Sequence, residues 1–295
     1  MPSLSVTYVL NLTCYLCPEP APATIKLGFW LGRTEVTVGQ WKQFVNETGY
    51  VTDGEKNGES HVPRGPGERW GMMKGKSWKD PNFGEVPKDN DAVCCISWND
   101  AMAFCEWMDK QEVRAGRLAQ GYAVRLPTES EWEYACRAGR QTKFWWGDSP
   151  DDGKGRLNWR WKEGDEFVSP VDSYGERGRN RFGLADMLGN VSEWCLDEYD
   201  ATQAHEECYQ GTPFSRVLRG GSFNHRDYRC ASRDRASPNY SICINGFRVC
   251  YGVDVSSTKT TTVSTSPATA ANEAGVLAPP ETRGAARPPS GQAAK

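Results

Sequence analysis

The chain has 295 residues, with 35 Lys and Arg against 38 Asp and Glu, a formal charge of -3 and 38% hydrophobic residues. That balance, with no basic run, gives no electrostatic footprint for DNA or RNA, and no segment reads as a membrane span. Twelve Trp, 30 Gly and 18 Pro predict a loop-rich fold whose core is filled by large aromatics rather than a long helical bundle. His61, His205 and His225 are the three histidines and lie far apart in sequence, which argues against a His-cluster zinc or iron site. The eleven cysteines are dispersed, a pattern of disulfides or buried thiols. The lone CxxC pair, Cys14 and Cys17, precedes a Pro-rich arm rather than a redox helix.

Taken in chain order, residues 1–24 read as an N-terminal arm. Leu4 to Leu16 is moderately apolar, but no Lys or Arg follows Met1 and no clear small-residue cleavage site follows, so it makes no persuasive secretory leader. The compartment stays open between cell surface, secretion and cytoplasm. Residues 25–252 keep a steady aromatic and Gly content, as expected of one domain. Within it, Thr37 caps a helix that turns Trp41, Phe44 and Val45 inward and stops at Gly49. Ser97-Trp-Asn-Asp100 opens a second helix bearing Ala101, Phe104, Cys105 and Met108. The capping box Thr128-Glu-Ser-Glu131 opens a third bearing Trp132, Ala135 and Cys136. Short runs at Ala123–Leu126, Arg216–Arg219 and Phe247–Cys250 read as brief strands. From Val253 to Lys295, Ser, Thr, Ala, Pro and Gly dominate without any aromatic or Cys, a composition that cannot offset its ordering entropy and reads as a disordered tail. The fold class expected is α+β, loop-rich, with short strands and about three short helices.

Six motifs then fall in series: Gly32-Arg-Thr-Glu-Val-Thr37, Cys95-Ile-Ser-Trp-Asn-Asp-Ala101, Arg125 to Tyr134 (RLPTESEWEY), Gly183 to Trp194 (GLADMLGNVSEW), Arg219-Gly-Gly-Ser222 and Gly246-Phe-Arg248. In this order the chain resembles the formylglycine-generating enzyme, or sulfatase-modifying factor, domain family, whose fold is a variant of the C-type lectin fold. The family's opening apolar strand with its Gly-Gly and Met-Gly segments is missing before Phe29, which implies an irregular or lost first strand.

The resemblance implies two disulfides, Cys136 with Cys230 and Cys105 with Cys250, although Val249 rather than Cys250 occupies the family's cysteine position. It also implies a structural calcium loop, in which Asp186 and Glu193 supply carboxylates and Gly189 and Val191 supply carbonyls. Pairing of the two acids with Arg181 or another cation is the alternative. A second ion site would begin at Asn158, with Glu163 or Asp165 as its acid.

Catalytic members carry two cysteines between the Gly-Gly-Ser and Arg-Cys-Ala motifs, which bind copper(I) and oxidise a substrate cysteine. Here that stretch, Gly220 to Cys230, is shorter and holds no Cys before Cys230, with His225 at the place where both would align. No catalytic residue is assigned. The expectation is a non-catalytic binding domain that displays the Asn224 to Ile244 segment to a protein or small-molecule ligand. Its proposed contacts are Asn224, His225, Arg226, Asp227, Tyr228, Asn239, Tyr240 and Ile242. The segment is also similar to the variable region of diversity-generating retroelement proteins, because Asn, His, Asp, Tyr, Ser, Ile and Cys are the residues that mutated Asn codons yield. The alternative is a formylglycine-generating oxidase or diverged oxidoreductase, which alone would call for copper.

Overall fold

Four capping boxes set the helices. The side chains of Thr37, Thr52, Ser97 and Thr128 each accept a hydrogen bond from the backbone N–H three residues on, while Gln40, Glu55, Asp100 and Glu131 return the bond to the cap backbone. Each reciprocal pair satisfies orphan donors of the first turn. The helices that follow are α1 (Val38–Thr48), α2 (Asp53–Asn57), α3 (Trp98–Arg114) and α4 (Glu129–Arg137), with a short α5 (Gly175–Gly178) later. Gly49 closes α1 in the left-handed region, φ 67°, as the sequence predicts. The described residues therefore carry five helices rather than about three. The two extra ones, of five and four residues, are too short to show an apolar period.

The computed structural model describes residues 12–15 in backbone, and residues 28–65, 70–159, 167–199, 214–225 and 227–255 in full. The first sheet has the order β1-β2-β10-β5, formed by Leu12–Tyr15, Phe29–Gly32, Cys250–Val253 and Tyr122–Arg125, all antiparallel. The first strand is thus present: Leu12–Tyr15 lies within the expected arm and pairs Thr13 with Leu31. A small hairpin joins β3 (Glu59–Val62) to β4 (Gly71–Lys74). The third sheet runs β8-β7-β6-β9, from Arg233–Ala236, Arg216–Arg219, Ser192–Glu198 and Asn245–Gly246, with β9 parallel to β6. The expected strand at Phe247–Cys250 divides, because Phe247 to Val249 link β9 to β10. Strand β10 reaches Val253, where the tail is expected to begin; residues 256–295 lie outside the described residues.

Two apolar clusters fill the domain, consistent with a loop-rich α+β fold of C-type lectin type. In the first, Trp41 and Phe44 of α1 meet Phe104 of α3 and Phe247, with Trp41 and Phe104 stacked at 5.7 Å between centroids. In the second, Trp132 and Cys136 of α4 pack with Leu31, Leu184, Val217 and Cys230. Trp41 is fully buried and touches rings from three elements. Trp41→Ala is expected to cost about 3–5 kcal/mol, read as a lowered urea midpoint with an unchanged slope.

Candidate functional site

The turn from Gly220 to Cys230 closes on glycine. Gly220 and Gly221 have φ of 85° and 67°. A Cβ on Gly221 would come within 2.7 Å of the Asp227 carbonyl oxygen, so the chain folds straight back on itself. Phe223, fully buried, anchors the turn against Phe83 and Phe167, and its N–H donates to the Asn190 carbonyl at 2.9 Å.

His225 is fixed within this turn. Its Nδ1 lies 2.8 Å from the Asp227 carbonyl oxygen and its Nε2 lies 3.3 Å from Asp234 Oδ2 on β8. The Asp234 carboxylate raises the imidazole above its ordinary value, and the Asp227 carbonyl adds to that. The Asp227 N–H also lies 3.3 Å from Nδ1, so both ring nitrogens already have protein partners. Asp227 is held by Arg229, with Nη2 at 2.6 Å from Oδ2.

The expected contact residues divide into two groups. Asn224, His225 and Asp227 are half-buried, and Asn239 and Tyr240 are exposed and half-buried respectively. Tyr240 Oη hydrogen-bonds His61 Nδ1. Tyr228 and Ile242, by contrast, are buried rather than displayed, at 4% and 8% exposure. Tyr228 is a core ring against Phe144, Trp146 and Trp159, and Ile242 bridges to His61 of β3. Apolar burial claims both side chains, which composition alone does not reveal. Arg226 lies outside the described residues.

The expected calcium loop meets a different arrangement. Glu193 is fully buried and spends both carboxylate oxygens on Arg248, from Nε and Nη2, each at 2.6 Å; Trp132 Nε1 donates to Oε2 at 2.7 Å. Arg248 also donates to the carbonyls of Gly32 and Ala185 at 2.9 and 3.1 Å. The cation paired with Glu193 is therefore Arg248, not Arg181. Asp186 accepts from the Asp172 N–H at 2.6 Å, and burial pushes its carboxyl up to about 6. Gly189 is pressed against Asn158, where a Cβ would meet the Asn158 carbonyl oxygen at 2.5 Å. Val191 is fully buried in the core. Asn158 donates from Nδ2 to the Phe167 carbonyl at 2.7 Å, while its Oδ1 is buried without a partner. Glu163 and Asp165 lie outside the described residues. Among the described residues, no three His, Cys, Asp or Glu side chains form a metal group; Glu193, paired with Arg248, does not fit as a free ligand, while the unpartnered Asn158 Oδ1 fits an oxygen-donor role.

The eight described cysteines are free thiols. Cys136 Sγ and Cys230 Sγ lie 3.5 Å apart, neighbours beyond the roughly 2.05 Å of a bond. Cys250, opposite Leu31 and Arg125, places its Sγ 3.6 Å from Arg125 Nη1, and Cys105 is near enough to act on it electrostatically. Cys230 and Cys243 belong to different clusters, Cys230 beside Cys136 and Cys243 with Cys94 and Cys95. They do not form a shared thiolate site.

Against this geometry, the family model for the sulfatase-modifying factor enzyme 1-like domain matches residues 17–252. The chain belongs to this family. It is 32% identical over 267 residues to a formylglycine-generating enzyme of Mus musculus, covering 78% of this chain and 67% of that protein. It is 30% identical over 244 residues to the inactive C-alpha-formylglycine-generating enzyme 2 of Bos taurus, covering 74% and 75%. The solved Treponema denticola variable protein 1 shares the fold with a TM-score of 0.53 at 23% identity, over 76% of this chain and 84% of that one. No helix among the described residues is long and apolar enough to cross a membrane.

Sequence reasoning missed Asp234, the partner of His225, because the two meet only when the loop between β7 and β8 folds back onto β8. Two measurements follow. Glu193→Gln leaves the Arg248 charge buried and is expected to cost about 3–5 kcal/mol in urea unfolding. By NMR titration, His225 is expected above about 6.5, with Asp234→Asn lowering it. The stabilisation from the pair is fully present below the unfolded value of about 6.5 and is lost as pH rises through the higher folded value.

Proposed function

We propose that this chain is a binding member of its family without oxidase activity, which presents Asn224, His225, Asp227, Asn239 and Tyr240 to a protein or small-molecule ligand. One observation carries this reading. The turn from Ser222 to Cys230 holds no sulfur before Cys230, and its imidazole is already committed to Asp227 and Asp234. Copper(I) in a thiolate pair needs two soft ligands in one place, and Cys230 and Cys243 sit in separate clusters. The likeness to a bovine protein named inactive supports the same reading. Amide, imidazole, carboxylate and phenol groups on a half-buried face suit adaptable recognition. Cradling by Phe223 and Tyr228 would hold the turn in place beneath them.

Diversification of residues 224–244 by a retroelement belongs to this proposal and rests on the residue alphabet there. A reverse-transcriptase gene and a near-copy of the coding segment in neighbouring DNA would support it. A structural calcium ion at the loop of Asp186, Gly189 and Val191 is likewise proposed, and a second ion at Asn158, whose buried Oδ1 has no partner. Metal analysis of protein purified without chelator is expected to find calcium, and its absence would remove the ion from the proposal.

The relatives named as formylglycine-generating enzymes favour the competing oxidase reading. Full-length protein loaded with copper(I) is expected to leave the thiol of a Cys-x-Pro-x-Arg peptide intact by mass spectrometry. Formation of formylglycine above a copper-only control would overturn the binding reading.

A further inference from the structure

Three cysteines outside the turn converge beside a cleft. Cys94, Cys95 and Cys243 are buried in one cluster, at 4%, 0% and 0% exposure. Cys95 has φ of 57°, a left-handed conformation unusual for a residue with a side chain. Its N–H donates to the Ile242 carbonyl at 3.2 Å, and Ser241 Oγ donates to the Cys95 carbonyl at 2.9 Å, so this turn is clamped to the segment that carries Cys243. Extended chain sends successive side chains to opposite faces. The left-handed residue breaks that alternation, and Cys94 and Cys243 are both near enough to Cys95 to act on its thiol electrostatically, as Cys94 is to Cys243.

Cys94 differs from its two neighbours in what it faces. It lines a cleft of about 340 Å³ whose walls include Trp78, Phe83, Phe167 and Pro170, with the Lys88–Glu85 ion pair at 3.0 Å beside them. Burial pushes the Cys95 and Cys243 thiols up, which keeps both in the neutral form.

We propose that Cys94 is a thiol–disulfide exchange site for small organic disulfides entering this cleft, and that Cys243 resolves the adduct into an internal disulfide. In the first step Cys94 gives its proton to solvent and its sulfur attacks one sulfur of the incoming disulfide. The S–S bond breaks, and one small thiol leaves with a proton. In the second step Cys243 loses its proton and attacks the Cys94 sulfur, expelling the second small thiol. Two protein thiols are oxidised and one small disulfide is reduced to two thiols. Cys243 rather than Cys95 closes the bond, because consecutive Cα atoms lie about 3.8 Å apart, below the roughly 4.4–6.8 Å that an ordinary disulfide spans. The exchange is independent of the binding reading, since it uses none of the same residues.

The test incubates the folded full-length protein with oxidised glutathione, quenches in acid and maps cysteines by peptide mass spectrometry. The wild type is expected to yield a Cys94–Cys243 disulfide, Cys243→Ala to trap glutathione on Cys94, and Cys94→Ala to lose both products. Yield of the internal bond should rise with pH, as the raised Cys243 thiol ionises. Modification of Cys94 only in urea, or a glutathione adduct on wild-type Cys94 that never closes, would overturn the proposal. The wild-type map decides even where a variant fails to fold, and it separates Cys94 from Cys14, Cys17 and Cys208 by peptide.

Discussion

The ion pair between Arg248 and Glu193 is the contact on which the remaining architecture depends. Both groups are fully buried, and a buried charge without a close partner is strongly unfavourable. Arg248 sits in the link between β9 and β10, Glu193 in β6, and the other contacts of the pair come from Trp132 of α4 and the carbonyls of Gly32 and Ala185. One guanidinium thus ties the first sheet, the third sheet and a helix to a single geometry. Because every one of its neighbours is needed to satisfy it, alternative registers of β6 against β9 would strand a charge. Removing either partner would leave the other charge buried and uncompensated, which makes the contact costly to lose.

That constraint also bears on how the scaffold would stand under the proposed absence of oxidase chemistry. The residues that hold the sheets together lie in the Gly-Phe-Arg and Ser-Glu-Trp motifs, not between Ser222 and Cys230. Shortening that turn leaves the ion pair, the capping boxes and both apolar clusters in place. What changes is local: Gly221 closes the chain, and His225 is taken up by Asp227 and Asp234. A scaffold held from one side leaves the other free to change its chemistry.

Much of this was legible in sequence, and the limits have physical causes. Helices α1, α3 and α4 announce themselves through caps and apolar spacing, because both signals act within one turn. Helices α2 and α5 are too short for a period to appear. The six motifs fix the family and so the fold, including the place of Asp186, Gly189, Val191 and Glu193. They do not reveal that Glu193 serves Arg248, 55 positions away, since long-range pairing leaves no local trace. Tyr228 and Ile242 look like contact residues by type and sit in the core by packing. That the stretch from Gly220 to Cys230 holds no sulfur before Cys230 is visible in the sequence itself.

The position of β10 carries a consequence for how the chain is made. This strand lies between β2 and β5 and is the one that joins them, pairing Cys250 with both Leu31 and Arg125. During synthesis β2 and β5 emerge long before their shared partner, and Glu193 emerges before Arg248. The first sheet therefore closes only after β10 is made, through contacts of high sequence separation that β2 and β5 cannot make earlier.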